Sequence, residues 1–373
     1  MELTLFDDGN GKLAPITDLR PAFGIRIGAF TTLERWTHAG HAVVGLRVPK
    51  RDAALATSRH GDLGVNDDAA GAVFVNGRWP LGAEHAEALA GLADGEGLAA
   101  GDDLLAVRVP ESGRFVADIA AWRCAPLDAQ LLDRPWHVRS LRDACLAHDL
   151  RALSPMGAAT VHPSARIAPT AVLDAGGGPI YIAEGARVSH HAIIIGPAYV
   201  GPGSTVLEQA RIRPGTAIGP ACKVAGEVGG TIFQGFANKA HDGYLGDSFV
   251  GEWVNLGAGT TNSNLLNTYG EIVVDRQRTG ETFLGCTLGD HVKTAICTRI
   301  MTGAIVGTGT MWATGRPIAG RIEAMRWATD AGEKPYRIER FLEVARAAMA
   351  RRDREPSEAE IDRLRSLADR GVP

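Results

Sequence analysis

Aliphatic side chains recur at every sixth position in the middle third of the chain, with small, polar and turn-forming residues between them. A six-residue period is typical of a β-helix, in which each hexapeptide forms one side of a triangular coil and points one aliphatic side chain inward. Coils stack by strand pairing, so stability grows along the rod. The unbroken register disfavours a succession of ordinary short strands and predicts a left-handed parallel β-helix of hexapeptide repeats. The unbroken run of inward positions is Ile182, Val188, Ile194, Val200, Val206, Ile212, Ile218 and Val224. An earlier run of the same step, Val161, Ile167 and Leu173, is separated from it by a glycine-rich break over 176–179.

The first 150 residues have a different pattern, in which short apolar runs alternate with segments of helical periodicity. Strands that alternate with helices indicate an α/β domain. The strand-like runs are 42–48, 71–75 and 104–109, and the helical segments are 31–39, 84–92 and 141–150.

The six-step register is interrupted twice beyond Val224. It breaks over residues 226–242, returns at Val250 and Leu256, and is interrupted again by an excursion over 261–280. Loops that leave the face of a solenoid commonly build its binding site. Both interruptions are therefore candidate site segments.

Helical periodicity returns near the end of the chain. Ser357 followed by Glu360 is a capping-box pattern, in which the two side chains bind free backbone N–H groups at the start of a helix. We expect these helices to pack on the rod or on a neighbouring subunit. The predicted organisation is an α/β domain over 1–150, a β-helix over 155–320 and a helical segment over 333–369.

Composition narrows the classes of function. The 373 residues are 45% apolar and 22% charged with a formal net charge of −4, and the absence of a basic cluster argues against nucleic acid as a partner. No apolar stretch reaches the roughly 18 residues that cross a membrane, and the acidic start of the chain lacks a signal-peptide pattern. The five cysteines show no CxxC spacing, so we expect reduced core thiols in a cytoplasmic protein.

The densest polar segments, 238–247 and 254–264, lie beside the interruptions of the register. Acyl transfer from a thioester to an amine requires a base that first deprotonates the ammonium, and a histidine with a near-neutral pKa can do this. His241 is the candidate base. Asp242 and Asp247 are the alternatives for a carboxylate that orients its ring.

The order of polar residues in these segments resembles a known family. His241, the run 244–247, the run 254–260 and Asn264, with Arg213 placed 28 residues before His241, resemble the acetyltransferase half of the GlmU family. That family combines glucosamine-1-phosphate N-acetyltransferase and N-acetylglucosamine-1-phosphate uridylyltransferase activities. The resemblance covers roughly residues 200–310.

The resemblance implies roles for individual residues, with acetyl-CoA as the acyl donor. Arg213 would hold the sugar phosphate, since a guanidinium matches phosphate oxygens in a bidentate manner. Tyr244 and Asn255 would contact the sugar or its phosphate. Asn264 would help to position sugar and acyl donor.

Other charged groups in this region have two interpretations each. Lys239 is either a phosphate ligand or a solvated loop charge, and we favour the second. His291 and Lys293 either meet acyl-donor phosphates or cap a coil. The lysine that the GlmU family carries between its arginine and its histidine is missing from the stretch 226–230, which leaves the identity of the sugar phosphate open.

The start of the chain has the layout of a nucleotide-binding turn. A strand-like run over 3–6 leads into a loop over 7–17, whose backbone N–H groups would cradle phosphates. With the runs 26–28 and 75–78, it resembles a divergent group of sugar-nucleotidyltransferase-like proteins that join such a domain to a GlmU-like β-helix. This resemblance implies a nucleotide site for UTP with Mg²⁺. Its candidate residues are Lys12, Arg20, Arg26, Asn76 and Arg78.

The N-terminal domain also departs from that pattern. The usual GxGTR loop is absent, and a domain of about 150 residues is short for a nucleotidyltransferase. Asn76 stands where a carboxylate would bind Mg²⁺, and a neutral amide is a poor substitute. The cationic candidates could equally be surface charges, and no metal ligand is assigned.

Three alternative functions are consistent with these sequence patterns. The first is a bifunctional enzyme that acetylates glucosamine 1-phosphate and transfers a uridylyl group to give a UDP-amino sugar for cell-envelope polysaccharide. The second is a nucleotidyltransferase with a structural β-helix, and the third is a non-catalytic scaffold that binds a sugar nucleotide. Because triangular prisms pack around a threefold axis, we predict a homotrimer whose sites lie between rods. The expected partners are small-molecule sugar phosphates and nucleotides.

Overall fold

The computed structural model describes residues 1–67, 72–154 and 158–370. An α/β sheet domain, a left-handed parallel β-helix and two C-terminal helices follow one another along the chain. This confirms the predicted fold class. Among the described residues, no helix is both long and apolar enough to cross a membrane.

The N-terminal sheet has seven strands in the order β3-β2-β1-β4-β6-β5-β7. The first four strands run parallel, and β6 runs antiparallel to both of its neighbours. Four of the five residues of the central strand β1 are buried, including the polar Thr4, as expected where helices and loops cover both faces of a parallel sheet. The strands are β1 Glu2–Phe6, β2 Ala42–Arg47, β3 Gly64–Val65, β4 Val73–Asn76, β5 Glu96–Ala100, β6 Asp103–Arg108 and β7 Arg123–Pro126.

Four α-helices and four short 3₁₀ segments surround this sheet. Helix α1 begins with a capping box, in which the Thr31 hydroxyl accepts from the Glu34 N–H and the Glu34 carboxylate accepts from the Thr31 N–H. The predicted run 71–75 lies partly outside the described residues. The helices are α1 Thr32–His38, α2 Ala53–Arg59, α3 Ala86–Ala90 and α4 His137–Leu153, and the 3₁₀ segments are Ala22–Gly24, Lys50–Asp52, Gly82–His85 and Ile119–Ala121.

The β-helix is a triangular rod whose three faces are sheets of parallel strands, except that the last strand pair of the second face is antiparallel. The first face is a single sheet of nine strands, and the N-terminal domain and α4 pack against it through Ile16, Ile25, Tyr199 and Ile232. Its strands are Ala159–Val161, Ile180–Ile182, Ala198–Val200, Thr216–Ile218, Ile232–Phe233, Phe249–Val250, Thr287–Leu288, Ile305–Val306 and Arg321–Ile322.

The other two faces carry the polar segments. The second face continues through Asn255, which bridges Asn238 and Lys293. Its strands are Arg166–Ile167, Arg187–Val188, Thr205–Val206, Lys223–Val224, Asn238–Lys239, Lys293–Thr294, Met311–Ala313, Arg326–Thr329 and Gly332–Pro335. The third face comprises Val172–Asp174, Ile193–Ile195, Arg211–Ile212, Glu227–Gly229 and Tyr244–Gly246, and farther along the rod Thr261–Asn262 and Arg299–Ile300.

The six-step register breaks after Val224, yet the chain does not leave the rod there. The inward Val228 comes four positions after the inward Val224, in place of the usual six. Gly226 and Gly230 turn two corners with φ of +73° and +55°, a conformation that glycine adopts without strain. The expected site loop over 226–242 is therefore wrong, because short corners replace a loop. The later excursion does leave the rod and contains the hairpin Val273–Val274 with Gln277–Arg278.

Helices α5 Ile338–Ala350 and α6 Glu358–Arg370 close the far end of the rod. The predicted capping box is confirmed, since the Glu360 N–H donates to Ser357 Oγ at 3.2 Å and the Ser357 N–H donates to Glu360 Oε2 at 3.0 Å. The apolar sides of both helices pack with Leu19 of the N-terminal domain.

All five cysteines are free thiols, but they are not all in the core. Cys145, Cys222 and Cys286 are buried, whereas Cys124 is partly exposed and Cys297 is exposed. The expectation of core thiols is wrong for Cys297, which occupies a turn with φ of +55°. Cys297 is not part of the apolar stack inside the rod.

Candidate functional site

His241 lies on the corner of the rod between the second and third faces. The strand Asn238–Lys239 ends just before it and the strand Tyr244–Gly246 begins just after it. The His241 side chain is exposed, and no hydrogen bond to its ring occurs within the described part of the chain. The imidazole is therefore free to meet a ligand.

The corner is held from inside the rod by Lys239. Its ammonium donates to the carbonyl oxygens of His241, at 2.8 Å, and of Asp242, at 3.1 Å. Lys239 is 1% exposed and takes the inward position between Val224 and the next coil. Burial lowers the pKa of Lys239 to about 8, and the nearby Asp242 carboxylate partly opposes this. The expectation of a solvated loop charge is wrong.

Three of the four predicted substrate residues lie together on the third face. Asn264 Nδ2 donates to Tyr244 Oη at 3.1 Å and to Asp247 Oδ2 at 2.7 Å. Arg213, on an earlier coil, pairs with Glu227 at 2.9 Å, and Glu227 is the strand partner of Tyr244. We call Arg213, Glu227, Tyr244, Asp247 and Asn264 the third-face cluster.

Asp247 is committed to structural contacts. Arg142 and Arg139 of α4 contact its Oδ1 at 2.7 and 3.1 Å, in addition to the bond from Asn264. Asp242 is exposed and follows His241 directly. Of the two alternatives for orienting His241, Asp242 is the one whose carboxylate is not held by arginines.

Asn255, the fourth predicted substrate residue, is exposed on the second face and thus apart from the third-face cluster. It lines a cavity of about 210 Å³ with Lys293 and the stacked rings of Phe236 and Trp253, whose centroids are 4.5 Å apart. Burial lowers the pKa of Lys293 to about 8. Arg351 and Arg352, beyond the end of α5, line the same cavity.

His291 does not reach that surface. It is 4% exposed, packs between Trp253 and Phe341, and burial lowers its pKa to about 3. A neutral, buried imidazole belongs to the core. His291 therefore cannot meet the phosphates of an acyl donor. Lys293 lies at a cavity that a ligand could enter.

In the N-terminal domain, Asn76 is the last residue of β4 and Arg78 follows it, beside the loop after β1. The Arg78 guanidinium is fully buried and donates to Asp8 at 2.7 and 2.8 Å, and also to Asp103 and Asp133. Asn76 is equally buried and donates to Asp8 Oδ2 at 2.9 Å. Both side chains, which were candidates for binding a nucleotide, are thus hydrogen-bonded to carboxylates of the protein.

Arg20 and Arg26 are also buried and paired. Arg20 contacts Asp290 at 2.8 Å and Glu252 at 3.0 Å, so it joins the N-terminal domain to the β-helix. Arg26 contacts Glu34 at 3.1 Å, and its backbone N–H donates to Gln234 Oε1 at 2.9 Å. Their partner carboxylates raise the pKa values of both arginines, against the opposing effect of burial.

Lys12 differs from the other nucleotide candidates because its side chain is exposed. It lines a cleft between the loop after β1, the last coil of the rod and helix α6. Lys12 is therefore the exposed candidate, whereas the other four are buried, and of those four Arg20 also lines this cleft.

The residues present do not fit a bound Mg²⁺ ion. Within the described ranges, no three His, Cys, Asp or Glu side chains gather in a way that could hold a metal. The carboxylates of Asp8, Asp103 and Asp133 converge, but the Arg78 guanidinium occupies the position between them and binds all three. A divalent cation would have to displace it.

The structural roles of Lys239, Asp103 and Asp133 were not predicted from the sequence. Lys239 carried a usable signal, since it lies six residues after Phe233 and six before Leu245, at an inward step. Asp103 and Asp133 carried none, because only the folded sheet brings them to Arg78.

One comparison with known proteins concerns the N-terminal part of the chain. A family model described as sugar nucleotidyl transferase covers residues 3–155. Residues 3–155 match the sugar nucleotidyl transferase family. Together with the GlmU relatives, this match confirms the resemblance to GlmU-like proteins.

Curated relatives match over short stretches. GlmU of Synechococcus elongatus is 37% identical over 75 residues, 19% of this chain and 17% of that protein. A bifunctional sugar-1-phosphate nucleotidylyltransferase/acetyltransferase of Sulfurisphaera tokodaii is 33% identical over 102 residues, 26% of this chain and 25% of that protein. The chain thus spans between about a sixth and a quarter of the length of these relatives.

A solved structure also matches over part of the chain. It is the UDP-N-acetylglucosamine acyltransferase of Francisella novicida, 15% identical with a TM-score of 0.28 over 53% of this chain and 73% of that chain.

Proposed function

We propose that this chain is a sugar-modifying transferase that moves an acyl group from a CoA thioester to the amino group of a sugar phosphate. The observation that carries the proposal is the exposed imidazole of His241, on a corner whose carbonyls are held by a buried lysine, next to the third-face cluster. A purely structural rod has no need for this arrangement.

In this proposal His241 acts as a general base. It accepts a proton from the ammonium of the amino sugar, and the freed amine attacks the thioester carbonyl carbon. The carbon–sulfur bond breaks, the amide nitrogen loses its second proton, and CoA leaves as the thiol. The half-exposed Arg213 would bind the phosphate, and Tyr244 with Asn264 would hydrogen-bond the sugar.

The second-face cavity is our candidate for the acyl donor. Its Lys293, Arg351 and Arg352 would attract phosphates, and the stacked Phe236 and Trp253 offer an aromatic surface to a purine. Because Asn255 lies in this cavity and not in the third-face cluster, a neighbouring rod would have to join the two sets. This favours the homotrimer, which sedimentation of the intact chain would test.

For the N-terminal domain we propose binding of a nucleotide or sugar nucleotide without Mg²⁺-dependent nucleotidyl transfer. The observation that favours this is the Arg78 guanidinium among the carboxylates that a metal would need. Uridylyl transfer to a sugar phosphate would then be absent, and a UTP turnover assay in the presence of Mg²⁺ tests it.

The first experiment is CoA release from acetyl-CoA with glucosamine 1-phosphate, in the wild type and in His241→Ala. We expect the variant to lose about 10²- to 10⁴-fold in kcat, the usual range for a general base. His190→Ala is the matched control, because His190 is exposed on the same corner of an earlier coil. Equal activity of the wild type and His241→Ala would refute the role of His241.

A further inference from the structure

A cleft of about 310 Å³ lies between the N-terminal domain and the end of the rod. The loop after β1 forms one wall, Arg321 of the last first-face strand another, and helix α6 a third. Its volume is at the lower end of the roughly 300–1,000 Å³ of small-molecule sites. We call it the basic cleft, because its lining includes Lys12, Arg51, Arg321, Arg363 and Arg370.

The carboxylates of the basic cleft are largely occupied. Asp7 accepts from the backbone N–H groups of Gly9 at 2.9 Å and Ala22 at 2.7 Å. Asp52 is bound by Arg363 and contacts Arg51 at 3.3 Å. Asp18 also lines the cleft near Arg363 and Arg370, and Arg321 is bound by Asp275 outside the cleft lining. The three carboxylates of the lining, Asp7, Asp18 and Asp52, are outnumbered by its cationic side chains, which also include Arg20.

The cations also oppose one another. Burial lowers the pKa of Arg363, and the neighbouring Arg370 and Arg51 guanidinium groups lower it further. Within the described residues, Arg370 donates from its Nε to the Ser366 carbonyl at 3.3 Å and lies near the Asp18 carboxylate. The Lys12 ammonium has no hydrogen-bond or ion-pair partner among the residues with described positions. An anion in the cleft would relieve this repulsion.

The location of the cleft points to phosphate. In open α/β sheets, ligands bind outside the carboxyl ends of the parallel strands, where neighbouring strands connect in opposite directions. Strand β1 lies at this point, with β2 on one side and β4 on the other. The loop that follows it contributes Gly9 and Gly11 to the cleft, so backbone can approach a ligand closely.

We propose that the basic cleft binds the di- or triphosphate group of a nucleotide, and that Arg363 and Arg370 of α6 balance its charge in place of Mg²⁺. This inference rests on the nucleotide binding proposed above for the N-terminal domain and adds the C-terminal helix to that site. Guanidinium groups match phosphate oxygens in a bidentate manner and bind them without a metal ion.

The helix is already held against the N-terminal domain. Arg59 of α2 contacts Glu360 of α6 at 2.8 Å and Glu252 of the rod at 3.0 Å, and Glu252 also contacts Arg20. The cleft is therefore framed on three sides before a ligand enters, so binding requires little ordering of the chain.

The test is calorimetric titration of the intact chain with UTP in the presence of EDTA. We compare the wild type, Arg370→Gln and the double variant Arg363→Gln/Arg370→Gln. Each lost charged contact should weaken binding about tenfold or more. Arg365→Gln is the control, since Arg365 lies on the same helix and pairs with the exposed Glu339. Because Arg363 also binds Asp52, the single Arg370→Gln variant keeps the test valid if the double variant unfolds.

Four outcomes are informative. Weaker binding by Arg370→Gln with an unchanged Arg365→Gln supports the proposal, and so does binding of inorganic triphosphate that responds to the same variant. Unchanged UTP affinity in Arg370→Gln overturns the role of α6 while nucleotide binding by the domain stands. Binding that requires Mg²⁺, or no binding by the wild type, overturns the cleft proposal. CoA release by the wild type is measured separately and does not depend on this result.

Discussion

The guanidinium of Arg78 is fully buried among three carboxylates, whereas that of Arg213 is 50% exposed and contacts one half-exposed glutamate. Both arginines were candidates for binding phosphate. In the N-terminal domain the Arg78 guanidinium is fully paired with carboxylates of the protein. On the rod the Arg213 guanidinium is still accessible to a ligand.

The difference follows from how each region brings residues together. Asp8, Asp103 and Asp133 are far apart in the sequence, and the mixed sheet gathers them around one arginine. On a β-helix, residues one coil apart lie side by side on the surface, so an outward side chain stays outward. A matching motif thus indicates a free functional group more reliably on the rod than in the sheet domain.

The largest expected effect is on stability, from Arg78→Met. Removing the guanidinium leaves the Asp8 carboxylate, whose side chain is 3% exposed, without its cation, and breaking such a buried pair typically costs about 3–5 kcal/mol. The more exposed Asp103 and Asp133 should add little to this cost. Arg213→Met should cost only about 0–1 kcal/mol, because an exposed ion pair contributes little. Urea denaturation of both variants measures the contrast.

The same pair of variants can contradict this comparison. If Arg78→Met unfolds at the wild-type urea midpoint but loses nucleotide affinity, Arg78 serves a ligand and not the fold. Arg213→Met should instead raise the KM for the sugar phosphate. An unchanged KM would place Arg213 among the structural residues.

Much of the rod was predictable because its period is short and local. The inward stack from Ile182 to Val224 was read directly from the sequence and is buried throughout. The short corners at Gly226 and Gly230 were not predicted, since a coil that uses fewer than six residues per side has no fixed spacing. The burial of Lys239 was not predicted for a related reason, because a charged residue at an inward position has the sequence pattern of a loop residue.

The site was predictable only in part. Coil stacking brings Tyr244 and Asn264 into contact as the motif suggested. The same stacking separates Asn255, which comes one corner earlier and so faces another direction. Arg139 and Arg142 on α4 reach Asp247 from a distant part of the sequence, and no local pattern predicts such a contact.

A smaller effect is expected for Lys239, the buried charge of the rod. Its pKa is about 8 in the folded chain against 10.5 when exposed, so the folded state holds its proton less tightly than the unfolded state. Burying the charged ammonium lowers the free energy of unfolding. That cost is fully present below about pH 8 and disappears as the pH rises toward 10.5, so the folded state becomes more stable over this range. Relative to Lys239→Met, the wild type should gain about 1–2 kcal/mol between about pH 7 and pH 9.5.

Lys223→Met is the matched control for this measurement, because Lys223 lies on the preceding coil of the same face with an exposed side chain. Urea midpoints at the two pH values give the difference. A wild type and a Lys239→Met variant with parallel pH profiles would mean that the ammonium is not buried in solution. Lys239→Met should also lower the rate of CoA release, since the His241 corner loses two hydrogen bonds.

The smallest expected effect is that of Gly246→Ala on sugar binding. The Tyr244 ring lies over Gly246, and a Cβ atom there would overlap Tyr244 Oη. The ring must move, which breaks the 3.1 Å hydrogen bond from Asn264. The loss of one such contact should raise the KM for the sugar phosphate about five- to tenfold, with kcat nearly unchanged. Gly315→Ala is the control, because its Cβ would meet open space. If Gly246→Ala leaves KM unchanged, Tyr244 and Asn264 bind each other and not a substrate, and the third-face cluster then resembles the residues around Arg78.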